Sequence, residues 1–156
     1  MDSVRASSGL DLHSFGDLPS GVSKTYLKIG QWYLDLANKE GQPPKKLEAL
    51  GVALDAFCQA KRLGAGATAC AMLSDVLASY ARVKGKELLE VRWFADRAIL
   101  EAEEGIAMEP NNPLSYLALS RALTVRARLC PEWMILPLLL KAAMAYDVAR
   151  KLQHEI

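Results

Sequence analysis

Three copies of one pattern of small and aromatic residues, 44 or 45 residues apart, constrain the fold of this chain more than any other feature. In each copy a small residue is followed four positions later by another apolar residue, and three positions after that by a second small residue. Residues at this spacing share one face of an α-helix, where small side chains let a neighbouring helix approach closely. The copies are Ala53, Phe57 and Ala60; Ala98, Ala102 and Gly105; and Ala142, Tyr146 and Ala149.

A second pattern precedes each of these copies. It consists of an aromatic residue, an apolar residue three positions on, a small residue next to it, and another large residue three positions later. It is clear before the first and third copies and weak before the second. Because this spacing is also helical, each repeat is predicted to be a pair of helices. The residues are Tyr26, Ile29, Gly30 and Tyr33; Cys70, Leu73, Ser74 and Leu77; and Tyr116, Leu119, Ser120 and Leu123.

The two patterns together resemble the tetratricopeptide repeat (TPR), in which two such helices are followed by a terminal proline, here Pro110. The resemblance covers residues 24–154. It implies an all-α fold, a TPR-like superhelical stack of three antiparallel helix pairs, acting as a non-catalytic protein-interaction module such as an adaptor or an assembly or secretion chaperone. The repeat of about 45 residues is longer than the family's usual ~34, and Gly41 with two prolines after it indicates a longer turn in the first pair.

Capping and helix-breaking residues predict the boundaries of these pairs. Residues 1–21 are predicted to be a flexible N-terminal arm, and residues 22–156 a TPR-like repeat domain. Ser23 and Asn112 are suitable N-caps, and Gly64 begins a turn between helices. The predicted pairs span residues 23–63, 67–108 and 112–154.

Pro137 falls early in the last predicted helix. It either belongs to the first turns of that helix or kinks it, and the sequence leaves both alternatives open.

The resemblance also implies which surface binds a partner. In TPR stacks the first helix of each pair lines the concave face, and here that lining mixes apolar side chains with single charges. Such a surface suits a peptide or helix of a partner protein. We expect nine residues to form it: Lys24, Leu27, Gln31, Leu34, Asp75, Ser79, Leu117, Arg121 and Thr124.

The last predicted helix is apolar on more than one side, although a repeat stack normally ends in a helix with a polar outer face. A homo-oligomer or a bound partner would cover it. Alternatively, the N-terminal arm folds over it, or the third pair packs irregularly. The alternative function is therefore a structural oligomer subunit that self-associates through Trp133, Leu136, Leu139 and Leu140.

Composition limits the remaining possibilities. The net charge of +1 does not indicate a nucleic-acid-binding surface, and no run approaches the ~20 apolar residues of a membrane span. Residues 1–21 do not have the pattern of a secretory signal. Three cysteines without a Cys-x-x-Cys pair are expected to be buried free thiols in a reducing compartment. We therefore expect a cytoplasmic protein whose partner is a protein or peptide.

Residues that carry chemistry do not converge in the sequence. The two histidines, His13 and His154, lack neighbouring ligands, and no phosphate-binding glycine loop or nucleophile turn is present. Glu101, Glu103 and Glu104 form an acidic cluster that we interpret as a solvent-exposed helix edge. We expect no enzymatic activity, no cofactor and no metal site.

Overall fold

The computed structural model of the chain describes residues 20–84 and 88–154. These residues form six α-helices and no strand, so the fold is all-α. The helices are α1 (Ser20–Lys39), α2 (Pro43–Arg62), α3 (Ala67–Val83), α4 (Leu88–Met108), α5 (Pro113–Ala127) and α6 (Glu132–His154). Helix α1 begins inside the range predicted as an arm, and the rest of that predicted arm lies outside the described residues.

The residues at the helix ends explain these boundaries. Helix α2 stops because Gly64 adopts a positive φ of 90°, which lets the Ala65 amide donate to the Ala60 carbonyl at 2.9 Å. Helix α5 begins as predicted, with the Asn112 side chain accepting a hydrogen bond from the Leu114 amide at 3.0 Å. Pro137 lies inside α6.

Consecutive helices pack in pairs, α1 with α2, α3 with α4, and α5 with α6. Each pair then packs on the next through its second helix and the following first helix, α2 on α3 and α4 on α5. Helix α3 also contacts α1 and α5, whereas α6 contacts α5 alone among the described helices. Short connections make paired helices antiparallel, as shown by the stacked Tyr80 and Phe94 rings where α3 ends and α4 begins.

The core is built largely from alanine, which is why the helices can lie close together. One apolar cluster joins α1, α2 and α3, and a second joins α3, α4 and α5. A smaller cluster consists of Ala71, Ala102 and Ala118, one residue from each of α3, α4 and α5. Helix α6 buries only Ala142, Ala145 and Ala149.

The repeated small residues occupy equivalent places in the structure. Ala53, Ala98 and Ala142, which open the pattern on the second helices, are at most 5% exposed. On the first helices, the Ser74 hydroxyl donates to the Ala98 carbonyl at 2.7 Å, and the hydroxyl at the same position in the third pair donates to the Ala142 carbonyl at 2.8 Å. Pairs two and three therefore share one helix register.

In pair one, the position equivalent to Ser74 is packed differently. Gly30 stands where the other pairs have serine, and the ring of Phe57 lies so close that a Cβ atom added to Gly30 would be 2.5 Å from it. Phe57 is fully buried. Tyr146, at the equivalent position of pair three, is half exposed, so its ring is not enclosed as that of Phe57 is. Among the described helices α6 contacts only α5, so none of them encloses that ring from the other side.

Candidate partner-binding groove

A groove of about 330 Å³ runs between the first helices of all three pairs. Five of the nine predicted partner-binding residues line it. The full lining is Gln31, Leu34 and Asn38 from α1, Met72, Asp75, Ser79 and Arg82 from α3, and Arg121 from α5.

Helical spacing brings these side chains to one surface. The α1 residues follow one another at intervals of three and four, and so do the α3 residues up to Ser79, which keeps each set on a single helix face. Leu34 and Met72 belong to the apolar cluster or pack against it and form the apolar part of the lining. The polar groups of Gln31, Asn38 and Ser79 lie around them.

Asp75 and Arg121 form the main ion pair of the groove. The guanidinium donates two hydrogen bonds to the carboxylate, both at 2.8 Å, in the bidentate arrangement that fixes both side chains. Burial raises the pKa of Asp75 above its usual value, more than Arg121 lowers it. The contribution of Asp75 to stability is therefore greatest at acidic pH and is lost as the pH rises through that pKa.

Arg82 brings a second guanidinium into the groove. It makes no ion pair with any residue of the described ranges. Burial, followed by the positive charge of Arg128, lowers the pKa of Arg82 from its usual value, yet arginine remains charged at physiological pH. Since Asp75 is already bound by Arg121, the groove carries an excess of positive charge.

The other four predicted partner-binding residues do not line this groove. Lys24 is exposed at the start of α1, and Leu27 packs against the core cluster beneath. Leu117 is half-buried on α5, and Thr124 donates its hydroxyl to the Ser120 carbonyl at 2.8 Å.

Sequence reasoning missed Asn38, Met72 and Arg82 as part of this groove. A signal for two of them was present, because Asn38 follows Gln31 by seven residues and Arg82 follows Asp75 by seven, and two helical turns return a side chain to the same face. The signal for the pairing of Asp75 with Arg121 was the repeat interval, since the 46 positions between them equal the separation of Ser74 and Ser120.

A second, more apolar groove of about 620 Å³ lies on the opposite side, between α2 and α4 and above α3. No Cα atoms of α2 and α4 come within 8 Å of each other in the described ranges, and side chains span the gap. Glu101 accepts hydrogen bonds from Lys61 and from Arg97, each at 2.9 Å. With an exposure of 4%, Glu101 is buried, so its interpretation as part of a solvent-exposed edge is wrong.

The pKa values of two residues at this cluster, Lys61 and Cys70, are both raised. Burial alone would lower the pKa of Lys61, but hydrogen bonds to Glu101 and Glu104 outweigh it and raise the pKa to about 12. Burial raises the pKa of the Cys70 thiol to about 11, which keeps this thiol protonated near neutral pH.

All three cysteines are free, but Cys58 is exposed rather than buried. Among residues 20–84 and 88–154, no three side chains of His, Cys, Asp or Glu come together in a group that could hold a metal ion. No helix within these ranges combines the length and the apolar character needed to cross a membrane.

The residues predicted for self-association lie on the outer side of α6. Trp133 is 77% exposed, Leu136 75% and Leu140 61%, while Leu139 is less exposed at 40%. Apolar side chains exposed side by side on one helix form the kind of patch that marks an interaction surface.

Comparison with known protein families, with curated proteins and with solved structures finds no match to this chain.

Proposed function

We propose that this protein is a non-catalytic protein-interaction module, an adaptor or an assembly or secretion chaperone, that binds a peptide or helix of a partner on its α1/α3/α5 face. One observation carries the proposal: all three pairs contribute side chains to a single groove on that face. A surface shared by successive repeats is how helical repeat proteins bind extended partners.

The packing of the helices supports a TPR-like stack with this face on its concave side. First helices contact each other along the stack, α1 with α3 and α3 with α5, whereas the second helices α2 and α4 lie farther apart. In a curved stack the inner helices are crowded and the outer helices spread. The concave side is then the one that holds the groove.

The chemistry of the groove favours a partner segment that combines an apolar anchor with an acidic group. Leu34 and Met72 offer apolar contact, and the amides of Gln31 and Asn38 can donate hydrogen bonds. Arg82 supplies a guanidinium that makes no ion pair with the described residues, a group suited to binding carboxylates. The Asp75–Arg121 pair holds the α3 and α5 sides of the groove in place.

The test uses a displayed random-peptide library selected on the purified full-length chain. We expect enriched peptides to carry an aspartate or glutamate beside apolar residues. Arg82→Ala combined with Gln31→Ala should remove most of this binding and leave thermal unfolding unchanged. Arg121 is not suitable for this test, because its loss would leave Asp75 buried and unpaired.

Arg92→Ala is the matched control, because Arg92 is an exposed arginine of α4, outside the groove. It should bind the enriched peptides as the unaltered chain does. Peptides that bind the groove variant as tightly as they bind the control would refute the proposal that the α1/α3/α5 face is the binding surface.

A second candidate function, a structural oligomer subunit, is favoured by the exposed apolar side chains of α6, above all Trp133 and Leu136. In that case the groove is incidental, and the assembly itself is the function. Both candidates are consistent with a cytoplasmic protein that requires no cofactor, which we keep as part of the proposal.

A further inference from the structure

The two ends of the helix stack differ from its interior. Inside the molecule, each second helix is covered by the first helix of the next pair, α2 by α3 and α4 by α5. Within the described residues, helix α6 is a second helix without such a neighbour, and α1 is a first helix on which no second helix of another pair packs. Each end therefore leaves open a face that the interior helices bury.

The α2/α3 and α4/α5 junctions make a contact at the same position of the repeat. Between α2 and α3, Gly51 lies under the hydroxyl of Tyr80, which is 3.3 Å from where a Cβ atom would be. Between α4 and α5, Asp96 accepts a hydrogen bond from Arg126 at 2.6 Å. Asp96 follows Gly51 by 45 residues, and Arg126 follows Tyr80 by 46. The same intervals separate Ala53 from Ala98 on the second helices and Ser74 from Ser120 on the first helices, so the two contacts are equivalent.

The same register places a leucine at this position on each open face. Leu140 of α6 follows Asp96 by 44 residues and is 61% exposed. Leu36 of α1 precedes Tyr80 by 44 residues and is 42% exposed. The two interior contacts are polar or mixed, whereas the two open ends both present leucine.

At a neighbouring position of each junction, a large residue on one helix is combined with a smaller residue on the other. In the interior junctions a large residue of the second helix shares a cluster with a smaller one of the next first helix, Leu54 with Val76 and Ile99 with Ala122. At the open ends the sizes are reversed. The equivalent residue of α6 is the exposed Ala143, and that of α1 is Trp32, which is 61% exposed. The large ring of Trp32 on α1 would therefore meet the small side chain of Ala143 on α6, so the two faces remain complementary in size.

We propose that copies of this chain associate head to tail, the outer face of α6 in one copy taking α1 of the next as α4 takes α5. Leu140 of one copy then contacts Leu36 of its neighbour, and Trp32 lies over Ala143. The two surfaces are different, so the contact is heterologous, and because it continues the stacking of α4 on α5 it adds copies in an open series. This inference does not depend on the proposed partner-binding function.

Sedimentation of the full-length chain at increasing concentration tests the proposal. The weight-average mass should rise above the 17.1 kDa of one copy and pass the mass of two copies without a plateau. Leu140→Asp and Leu36→Arg should each keep the mass near that of one copy, because each places an unpaired charge in the apolar contact.

Mixing the two variants should restore association, because the unaltered Leu140 of one variant meets the unaltered Leu36 of the other, and at alternate contacts the introduced carboxylate and guanidinium meet as Asp96 and Arg126 do in the α4/α5 junction. Growth of the mixture beyond two copies should therefore weaken at high salt. Leu100→Asp is the matched control: Leu100 is an exposed leucine of α4 outside both open faces, and this variant should associate like the unaltered chain.

Three results would overturn the proposal. The first is an unaltered chain of constant single-copy mass, expected if residues 1–19 or another protein covers α6. The second is a plateau at the mass of two copies, with the Leu36→Arg variant associating as strongly as the unaltered chain. That result indicates a symmetric α6-to-α6 dimer. The third is a failure of the mixed variants to associate.

Discussion

Pairs one and two pack the same position in opposite ways. In pair one the first helix contributes no side chain at Gly30, and the second helix fills the space with the Phe57 ring. In pair two the first helix contributes Ser74, whose hydroxyl donates to the Ala98 carbonyl, and the second helix has only Ala102 at the position of the ring.

The comparison shows that the first helix always places a small residue at this position, glycine or serine, whereas the residue opposite it varies from alanine to an aromatic ring. A glycine with a phenylalanine, or a serine with an alanine, lets two helices pack at close range. The difference is in the type of interaction. Pair one depends on apolar burial, and pair two adds a hydrogen bond to a helix carbonyl.

The largest expected effect is the loss of the ring in pair one. Phe57→Ala should lower the free energy of unfolding by about 3–5 kcal/mol, because a fully buried ring is removed and a cavity remains. Equilibrium unfolding in urea measures this. Tyr146→Ala, at the equivalent but half-exposed position of pair three, is the control and should cost much less. Equal losses at both positions would contradict the contrast in burial.

A smaller loss is expected when a side chain is added opposite that ring. In Gly30→Ala the new methyl group would overlap the Phe57 ring. Such overpacking lowers the free energy of unfolding by about 1–3 kcal/mol. Better helix propensity returns up to about 1 kcal/mol, so the variant should be less stable than the unaltered chain.

Gly51→Ala is the control for this glycine, since an added methyl group there meets only the Tyr80 hydroxyl. It should be neutral or stabilising in thermal melts. The close contact in pair one would be in doubt if Gly30→Ala melted at a higher temperature than the unaltered chain.

The smallest expected effect on the free energy of unfolding is a difference between two fully buried serines, Ser74 and Ser115. Ser74→Ala removes the hydrogen bond of pair two and should cost about 1 kcal/mol. Ser115 is equally buried, but its hydroxyl has no hydrogen-bond partner among the described residues. Ser115→Ala should therefore leave stability unchanged or raise it. The same loss in both variants, measured by urea unfolding, would argue against a specific role for the Ser74 hydrogen bond.

The helices and their register could be predicted from the sequence, because both depend on local signals. Proline and glycine set the ends of α2, asparagine caps α5, and the intervals between small residues identify the positions that meet. The equivalence of Ser74 and Ser120 follows from those intervals alone, although the hydrogen bonds that they make could not be foreseen.

The charged contacts differ in how far the sequence signals them. Arg97 and Glu101 are four residues apart on α4, and Asp75 and Arg121 are one repeat interval apart, whereas no spacing brings Lys61 to Glu101. Arg121 was expected as an isolated charge and is bound to Asp75. Glu101 was expected in solvent and lies between Lys61 and Arg97. Local spacing gives a side chain's face, but its partner depends on how the pairs stack.

The central claim is that equivalent positions in successive pairs hold interchangeable packing arrangements. Transferring the arrangement of pair two into pair one, by Gly30→Ser together with Phe57→Ala, tests this claim most directly in a double-mutant cycle of unfolding free energies. We expect the double variant to be more stable than the sum of the single changes predicts, with a coupling of about 0.5–3 kcal/mol. Additive losses would contradict the account, because positions 30 and 57 would then not share one packing site.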